Sequence, residues 1–264
     1  MVSVIDLHCH VLAGIDDGPA TIEGSVALAR EAAAAGTRTV VATPHVNRRY
    51  ANDAASILPK VAELNARLAA EGIELDVRAG AEIAIGRAVE LDAEELRGLS
   101  LGGGPWLLVE PPFTPSAAGL DILLLDLQRR GHRLLLAHPE RCPAFRRDPH
   151  MLRSLVREGL LTSITAGSLA GRFGTEVRRF TIDLVAEGLV HNVASDFHDL
   201  DQRSPAIAAL LIDGGLEAFA DWWTHEVPSA ILTGAEIPSR PRVPLPQSLP
   251  RARRRRWGRQ LRAS

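Results

Sequence analysis

The sequence predicts an α/β protein built on a parallel sheet, and three observations carry that expectation. Short β-branched or leucine-rich runs alternate with longer segments of helical periodicity. Most of the helical segments end at a glycine, the usual left-handed stop. Seven strands fit within about 215 residues. That economy points to a (β/α)7 TIM-like barrel in one domain rather than two small domains, although a doubly wound open sheet has the same linear pattern.

The elements follow in order. Val2–Leu7 reads as the first strand, and Thr21–Gly36 as a helix capped by Thr21, with Val26, Leu28, Ala29, Ala32 and Ala33 on one face. Arg38–Thr43 is the second strand, ended by Pro44, and Asp53–Gly72 the next helix. Glu74–Ala79 is the third strand, Leu91–Leu99 a short helix, and Trp106–Val109 the fourth strand. Leu120–Gly131 is a helix with a leucine stripe, followed by strand Arg133–Ala137. Pro149–Gly159 is a helix capped by Asp148, and Leu161–Thr165 the sixth strand. Helix Thr175–Gly188, strand Val190–Ala194 and a helix near Pro205–Gly214 complete the pattern. Gly102-Gly-Gly-Pro105 precedes a strand and reads as a flexible loop.

Composition bounds the class. The 264 residues are 46% hydrophobic and 23% charged, values of a soluble globular protein. No apolar run approaches the ~20 residues that span a bilayer. The first residues lack the basic segment and apolar stretch of a signal peptide, and two cysteines make no disulfide scaffold, so a cytoplasmic, reduced setting is expected. Charge is unevenly placed: residues 239–264 hold nine of the 30 basic residues and none of the 32 acids. The chain therefore divides into an acidic body, 1–238, and a Pro/Arg-rich basic tail, 239–264, expected to be flexible.

Polar residues fall where chemistry would be done. His8 and His10 follow the first strand, His45 the second, Glu82 the third, Glu110 the fourth and His138 the fifth, with Asp196 and His198 after the seventh. In a parallel barrel all strand C-termini meet at one mouth, where such folds keep their active sites. His-x-His on an extended segment aims both imidazoles to one side, and Asp196-Phe-His198 repeats that spacing. Asp16 and Asp17, in Gly14-Ile-Asp-Asp-Gly18, add an oxygen donor nearby. Imidazole and carboxylate without thiolate suit Mn²⁺, Fe²⁺ or Zn²⁺. The donors exceed what one ion needs, so two or three divalent ions are expected. Any one of these residues alone is more simply an ordinary strand-end charge; their joint placement is the signal. His132, His150, His191 and His225 lie at strand entries or on helices and loops and read as surface residues.

Arg141, in His138-Pro-Glu-Arg141, and Arg203, five residues past His198, would lie near the ions. A guanidinium beside cations needs a bridging anion, and phosphate supplies one that arginine matches bidentately; the simpler alternative pairs Arg141 with Glu140 or Glu110. Arg48 and Arg49 are further candidates for a charged substrate. A thiol phosphatase needs Cys and Arg with five residues between them, but Cys9 is followed at that spacing by Ile15 and Cys142 by Asp148. A P-loop sequence is absent.

The motifs Asp6-Leu-His-Cys-His10, Gly14-Ile-Asp-Asp-Gly18, Ala42-Thr-Pro-His45, Gly80-Ala-Glu-Ile83, Ala137-His-Pro-Glu-Arg141 and Ala194-Ser-Asp-Phe-His198 stand in the order found in PHP-family metallophosphatases. Over about residues 4–235 the chain resembles the bacterial capsule-associated protein-tyrosine phosphatases of that family. The resemblance implies a distorted (β/α)7 barrel, the PHP fold, and a trinuclear centre, usually of manganese, with Fe, Zn or Mg as other candidates. It implies the ligands His8, His10, Asp17, His45, Glu82, Glu110, His138, Asp196 and His198, with Arg141 and Arg203 contacting phosphate. It implies action on phosphotyrosine of a bacterial tyrosine kinase that regulates capsule or exopolysaccharide synthesis. Two departures, Val46 where relatives often have histidine and Glu110-Pro-Pro-Phe113 where they often have Glu-Phe-Pro-Phe, would reshape the substrate rim.

The expected chemistry is in-line attack by a metal-bridging hydroxide, with Asp17 either a ligand or the acid. The alternatives are a small-molecule phosphatase such as one for histidinol phosphate, a metal-dependent amidohydrolase, or a binding module whose Arg251–Arg256 and Trp257 contact an anionic membrane or nucleic acid.

Overall fold

A computed structural model describes residues 3–115, 118–199 and 205–244. Strand β1 (Val4–Cys9) is buried along its whole length. In α1 (Ile22–Ala34) the Thr21 hydroxyl accepts from the Gly24 N–H, and Val26, Leu28, Ala29 and Ala32 face the core. The expected second strand, Arg38–Thr43, is β2 (Thr37–Ala42); past Pro44, which has no N–H for a ladder, an unexpected two-residue strand β3 (His45–Val46) follows. A reciprocal cap between Asp53 and Ser56 starts α2 (Ala54–Ala70).

The expected third strand, Glu74–Ala79, is β4 (Asp76–Ala79), starting two residues later, and an unexpected short strand β5 (Glu82–Ala84) follows beyond a break. Gly80 lies in the break because a Cβ there would come within 2.6 Å of Val41 Cγ1. Next come α3 (Ile85–Ala88), α4 (Ala93–Gly98), β6 (Trp106–Glu110) and α5 (Leu120–Arg129). Leu120, Leu124 and Leu127 form the buried stripe of α5. The chain continues through β7 (Arg133–Ala137), α6 (Pro143–Arg147) and α7 (Pro149–Arg157), the last capped by Asp148. Then follow β8 (Leu161–Thr165), α8 (Ala166–Leu169), α9 (Thr175–Ala186), β9 (Asn192–Ala194) and α10 (Ile207–Asp213). A π-helical turn, Trp222–Glu226, runs into α11 (Val227–Thr233).

All named strand pairs are parallel. One sheet has the order β1-β2-β4 and the other β3-β5-β6-β7-β8-β9. The β3–β5 register sets His45 opposite Glu82, and the β5–β6 register sets Ala84 opposite Glu110. Past the ends of the first and last strands, Cys9 and Phe197 form a parallel bridge. There the His10 N–H donates to Phe197 O and the Asp196 N–H to His8 O, both at 2.9 Å.

Several expectations need correction. The first strand extends to Cys9 instead of ending at Leu7, so His8 sits within it; Val2 lies outside the described residues. The helices α3, α6, α8 and α11 were not expected: three have four or five residues, too few for a periodic signal, and α11 begins inside a π turn rich in tryptophan. The glycine loop before β6 contains a 3₁₀ turn, Leu101–Gly103, with Gly102 at φ 60°.

Candidate metal centre

The strand ends converge on Glu82. Its side chain is buried at the start of β5, and Oε2 lies 3.3 Å from His8 Nε2, 3.4 Å from His10 Nε2 and 2.9 Å from His45 Nδ1. Its other oxygen is 2.7 Å from His138 Nε2. Four imidazoles from three different strand units therefore surround one carboxylate. As the alternation of side chains requires, His8 and His10 point the same way, their Nε2 atoms 3.3 Å apart.

The remaining acids close the ring. Glu110 at the end of β6 lies 3.9 Å from both His45 and His138. Asp196 Oδ1 is 3.5 Å from His8 and 3.6 Å from His198. Asp17 Oδ1 is 3.4 Å from His198 Nε2 and 3.5 Å from His45 Nε2, on the solvent side. Three donor groups could each hold an ion: His10, Asp17, His45 and His198; His8, His10 and Glu82; and His45, Glu82 and Glu110. These groups take in seven of the nine expected ligands; His138 and Asp196 stand in none of them and join the cluster through their contacts with Glu82, His8 and His198. His132, His150, His191 and His225 enter none of these groups.

Two of these residues have unusual backbone conformations. His138 and Asp196 are the two non-glycine residues with positive φ among the described residues, at 30° and 51°. Such conformations concentrate at functional sites. The Asp196 value also corrects the expected extended Asp-x-His geometry; the Cys9–Phe197 bridge, not strand alternation, aims Asp196 and His198 inward. Gly18 is required by close approach, since a Cβ there would meet His10 O at 2.5 Å.

Outer partners orient the donors. Asp16 is not aimed at the cluster as a donor; its Oδ2 lies 2.7 Å from His10 Nδ1, and its Oδ1 accepts from the Gly18 N–H at 2.9 Å. Buried Asp6 accepts from the backbone N–H of His8 and of Ser195, each at 3.2 Å, and from the Ser195 hydroxyl, so it ties β1 to the end of β9. Asn52 donates to the carbonyls of Ile15 and His45, fastening the Asp16 loop to β3. Asp6 and Asn52 escaped the sequence reading. Asp6 stands two residues before His8 on the same face, which was its only available signal.

Electrostatics test whether cations fit. Burial pushes the Glu110 carboxyl up to about 8, with the charge of Glu82 adding to it. Burial also opposes ionisation of Glu82, but the neighbouring His8, His10, His138 and His45 outweigh it and hold it below the usual range. Burial lowers His138 to about 4, leaving a neutral imidazole suited to ligation. His138 Nδ1 is buried without a hydrogen-bond partner, and His45 Nδ1 and Glu82 Oε2, though 2.9 Å apart, are not aligned as a hydrogen bond. Against burial, Asp16 and Glu82 hold the His10 imidazole up at about 10, and Glu82 raises His45. Buried polar atoms are rarely left without partners, and imidazoles packed among carboxylates form a donor set that divalent cations fit in place of those protons.

Arg141 approaches from one side, its Nη1 2.6 Å from Asp196 Oδ2. It does not pair with Glu140, whose Oε1 accepts from the Thr165 N–H and the Ser168 hydroxyl instead. Arg203 lies outside the described residues. Arg48 and Arg49 are exposed on the turn after β3. Both thiols are buried and lifted by burial, Cys9 well above the ordinary range, so neither is a nucleophile here.

Comparison with known proteins agrees with this geometry. Residues 4–212 match the family model for capsular polysaccharide synthesis, CpsB/CapC. The chain is 41% identical over 202 residues to the tyrosine-protein phosphatase YwqE of Bacillus subtilis, covering 76% of this chain and 80% of that protein. It is 32% identical over 219 residues to CapC of Staphylococcus aureus, covering 82% and 85%. A crystal structure from work on YwqE and the Streptococcus pneumoniae protein CpsB, metal-dependent tyrosine phosphatases, superposes with a TM-score of 0.81 at 35% identity. That match covers 92% of this chain and 100% of the other.

Proposed function

The chain belongs to the CpsB/CapC family of capsular polysaccharide synthesis, and from that premise we propose that it is a metal-dependent protein-tyrosine phosphatase, a phosphoric monoester hydrolase. The observation that carries the reading is the Glu82-centred ring of imidazoles and carboxylates with Arg141 beside it. The relatives favour protein phosphotyrosine over histidinol phosphate, the alternative raised from the sequence.

We assign His8, His10, Asp17, His45, Glu82, Glu110, His138, Asp196 and His198 as the ligands of three divalent ions, with Mn²⁺ the first choice. Such ions acidify bound water and polarise phosphoryl oxygens. Within this scheme Arg141 turns from Asp196 to the substrate phosphate and neutralises its equatorial oxygens, and Arg203 is its expected companion. Half-exposed Asp17, whose carboxyl the contact with His198 holds well below the usual range, serves in this scheme as a ligand and not as the proton donor. A phenolate leaving group, of pKa about 10, needs little acid assistance. The distorted (β/α)7 PHP barrel remains our reading of the fold, supported by the parallel strand order and by the Cys9–Phe197 bridge. A capsule-regulating tyrosine kinase as substrate, a cytoplasmic setting, and a tail from residue 239 onward that contacts anionic membrane or nucleic acid complete the proposal.

The deciding experiment compares metal-replete and exhaustively chelated protein on a phosphotyrosyl peptide. Activity should vanish on chelation, return with Mn²⁺, and survive thiol alkylation of the native protein. Turnover that persists after chelation would overturn the reading.

A further inference from the structure

We propose that Phe113 is the platform for the aromatic ring of the substrate, a subsite that selects aryl over alkyl phosphomonoesters. The inference rests on the phosphatase reading above and adds a residue to it. Among the described residues, Phe113 is the one aromatic side chain in the set of exposed large hydrophobics, at 47% exposure. The others, Leu58, Ile122, Leu123, Ile212 and Val243, are aliphatic. A single exposed apolar side chain is ordinary; what distinguishes Phe113 is that it is aromatic and contacts the polar centre.

The Phe113 ring stacks on the imidazole of His138, with centroids 5.4 Å apart and planes 25° apart. The guanidinium carbon of Arg141 lies 5.1 Å from the Phe113 centroid and 4.4 Å from that of Phe173, so the cation is within reach of both rings. Phe113 therefore touches both an imidazole assigned to the metals and the arginine assigned to phosphate. The segment before it is held firmly: Pro111 and Pro112 fix the backbone, and the Cys142 thiol donates to Pro112 O at 3.3 Å. A phosphoryl group at Arg141 would leave the aryl group of its ester within reach of this ring. Stacking of one aromatic ring on another is worth about 0.5–1.5 kcal/mol beyond area burial, roughly a 2- to 10-fold preference.

The test uses two non-hydrolysable probes, benzylphosphonate and ethylphosphonate, as inhibitors of p-nitrophenyl phosphate turnover by the metal-replete full chain. The wild type should bind the benzyl probe about 2- to 10-fold more tightly. Phe113→Ala should equalise the two inhibition constants, and Phe113→Tyr, which keeps the ring, should retain the preference. A benzyl preference that is absent in the wild type or survives in Phe113→Ala would overturn the subsite. Equal weakening of both probes would also overturn it, because Phe113 would then merely hold Arg141. If the metal-replete wild type turned over no aryl phosphate, the phosphatase reading would fail and take the subsite with it.

Discussion

Asp16 Oδ2 lies 2.7 Å from Nδ1 of His10, and this contact turns the opposite nitrogen of the ring toward Glu82. Partners of this kind fix the tautomer and aim of a ligating histidine. Asp16→Ala should therefore lower metal affinity by about 10- to 100-fold, as read by Mn²⁺ titration. The Asp16 carboxylate is buried and also accepts from the Gly18 and His45 N–H groups, so thermal unfolding measured beside the titration separates loss of affinity from loss of the loop. Unchanged affinity would show that the contact is incidental.

Glu82 is the carboxylate that touches four imidazoles. Glu82→Gln keeps the size and removes the charge. Metal content should drop, and turnover of an aryl phosphate should fall by more than about 100-fold, the upper end for outer partners. Elemental analysis beside the rate assay separates loss of metal from loss of chemistry.

Arg141→Lys tests the phosphate contact by itself. Lysine keeps the charge but loses the planar fork. A loss in kcat/KM of about 100-fold with metal content unchanged is expected. A parallel loss of metal would instead assign Arg141 to holding Asp196.

His191 gives a pH dependence away from the centre. Burial and then the nearby Arg240 lower its imidazole to about 4, and its Nδ1 accepts from the Thr162 N–H at 3.2 Å. The unfolded chain takes up this proton near the ordinary value of 6.5, while the native state does not until about 4. Its contribution is thus complete above pH 6.5 and is lost as pH falls toward 4. Between pH 7 and 5 it should cost up to about 2 kcal/mol. His191→Gln should flatten the acid limb of stability measured by urea unfolding across that range. This residue is half-buried, unlike the surface group expected from its position in the sequence.

Truncation probes the tail. Arg240 donates to Val185 O at 3.1 Å and lies 4.9 Å over the Phe219 ring, so the first residues after Pro238 pack on the body. Ending the chain after Pro244 should leave thermal stability and small-substrate turnover unchanged. Ending it after Pro238 should remove about 1–2 kcal/mol, lowering Tm by a few degrees. Equal stability of the two truncations would count against the Arg240 contacts.

Much of the site was legible because each candidate ligand stands where an apolar run stops. That signal survives without knowledge of packing, and it marks His45, Glu82, Glu110 and His138 at or beside their strands. What was hidden depends on long-range contacts or on backbone shape. The breaks at Pro44 and Gly80 come from a missing donor and from the crowding of Val41. The left-handed turn at Asp196 has no marker, since no glycine stands there. The roles of Asp6 and Phe113 appear only when Ser195 and Arg141 are brought beside them.

The link between Asp6 and Ser195 joins residues 189 positions apart. Contacts of such range form late, because loop closure must come first. During synthesis, His8 and His10 emerge early but wait for almost the whole domain before Asp196 and His198 arrive. A ribosome-bound fragment ending before residue 195 lacks Asp196 and His198, so the donor set closes only when the segment after β9 docks on β1.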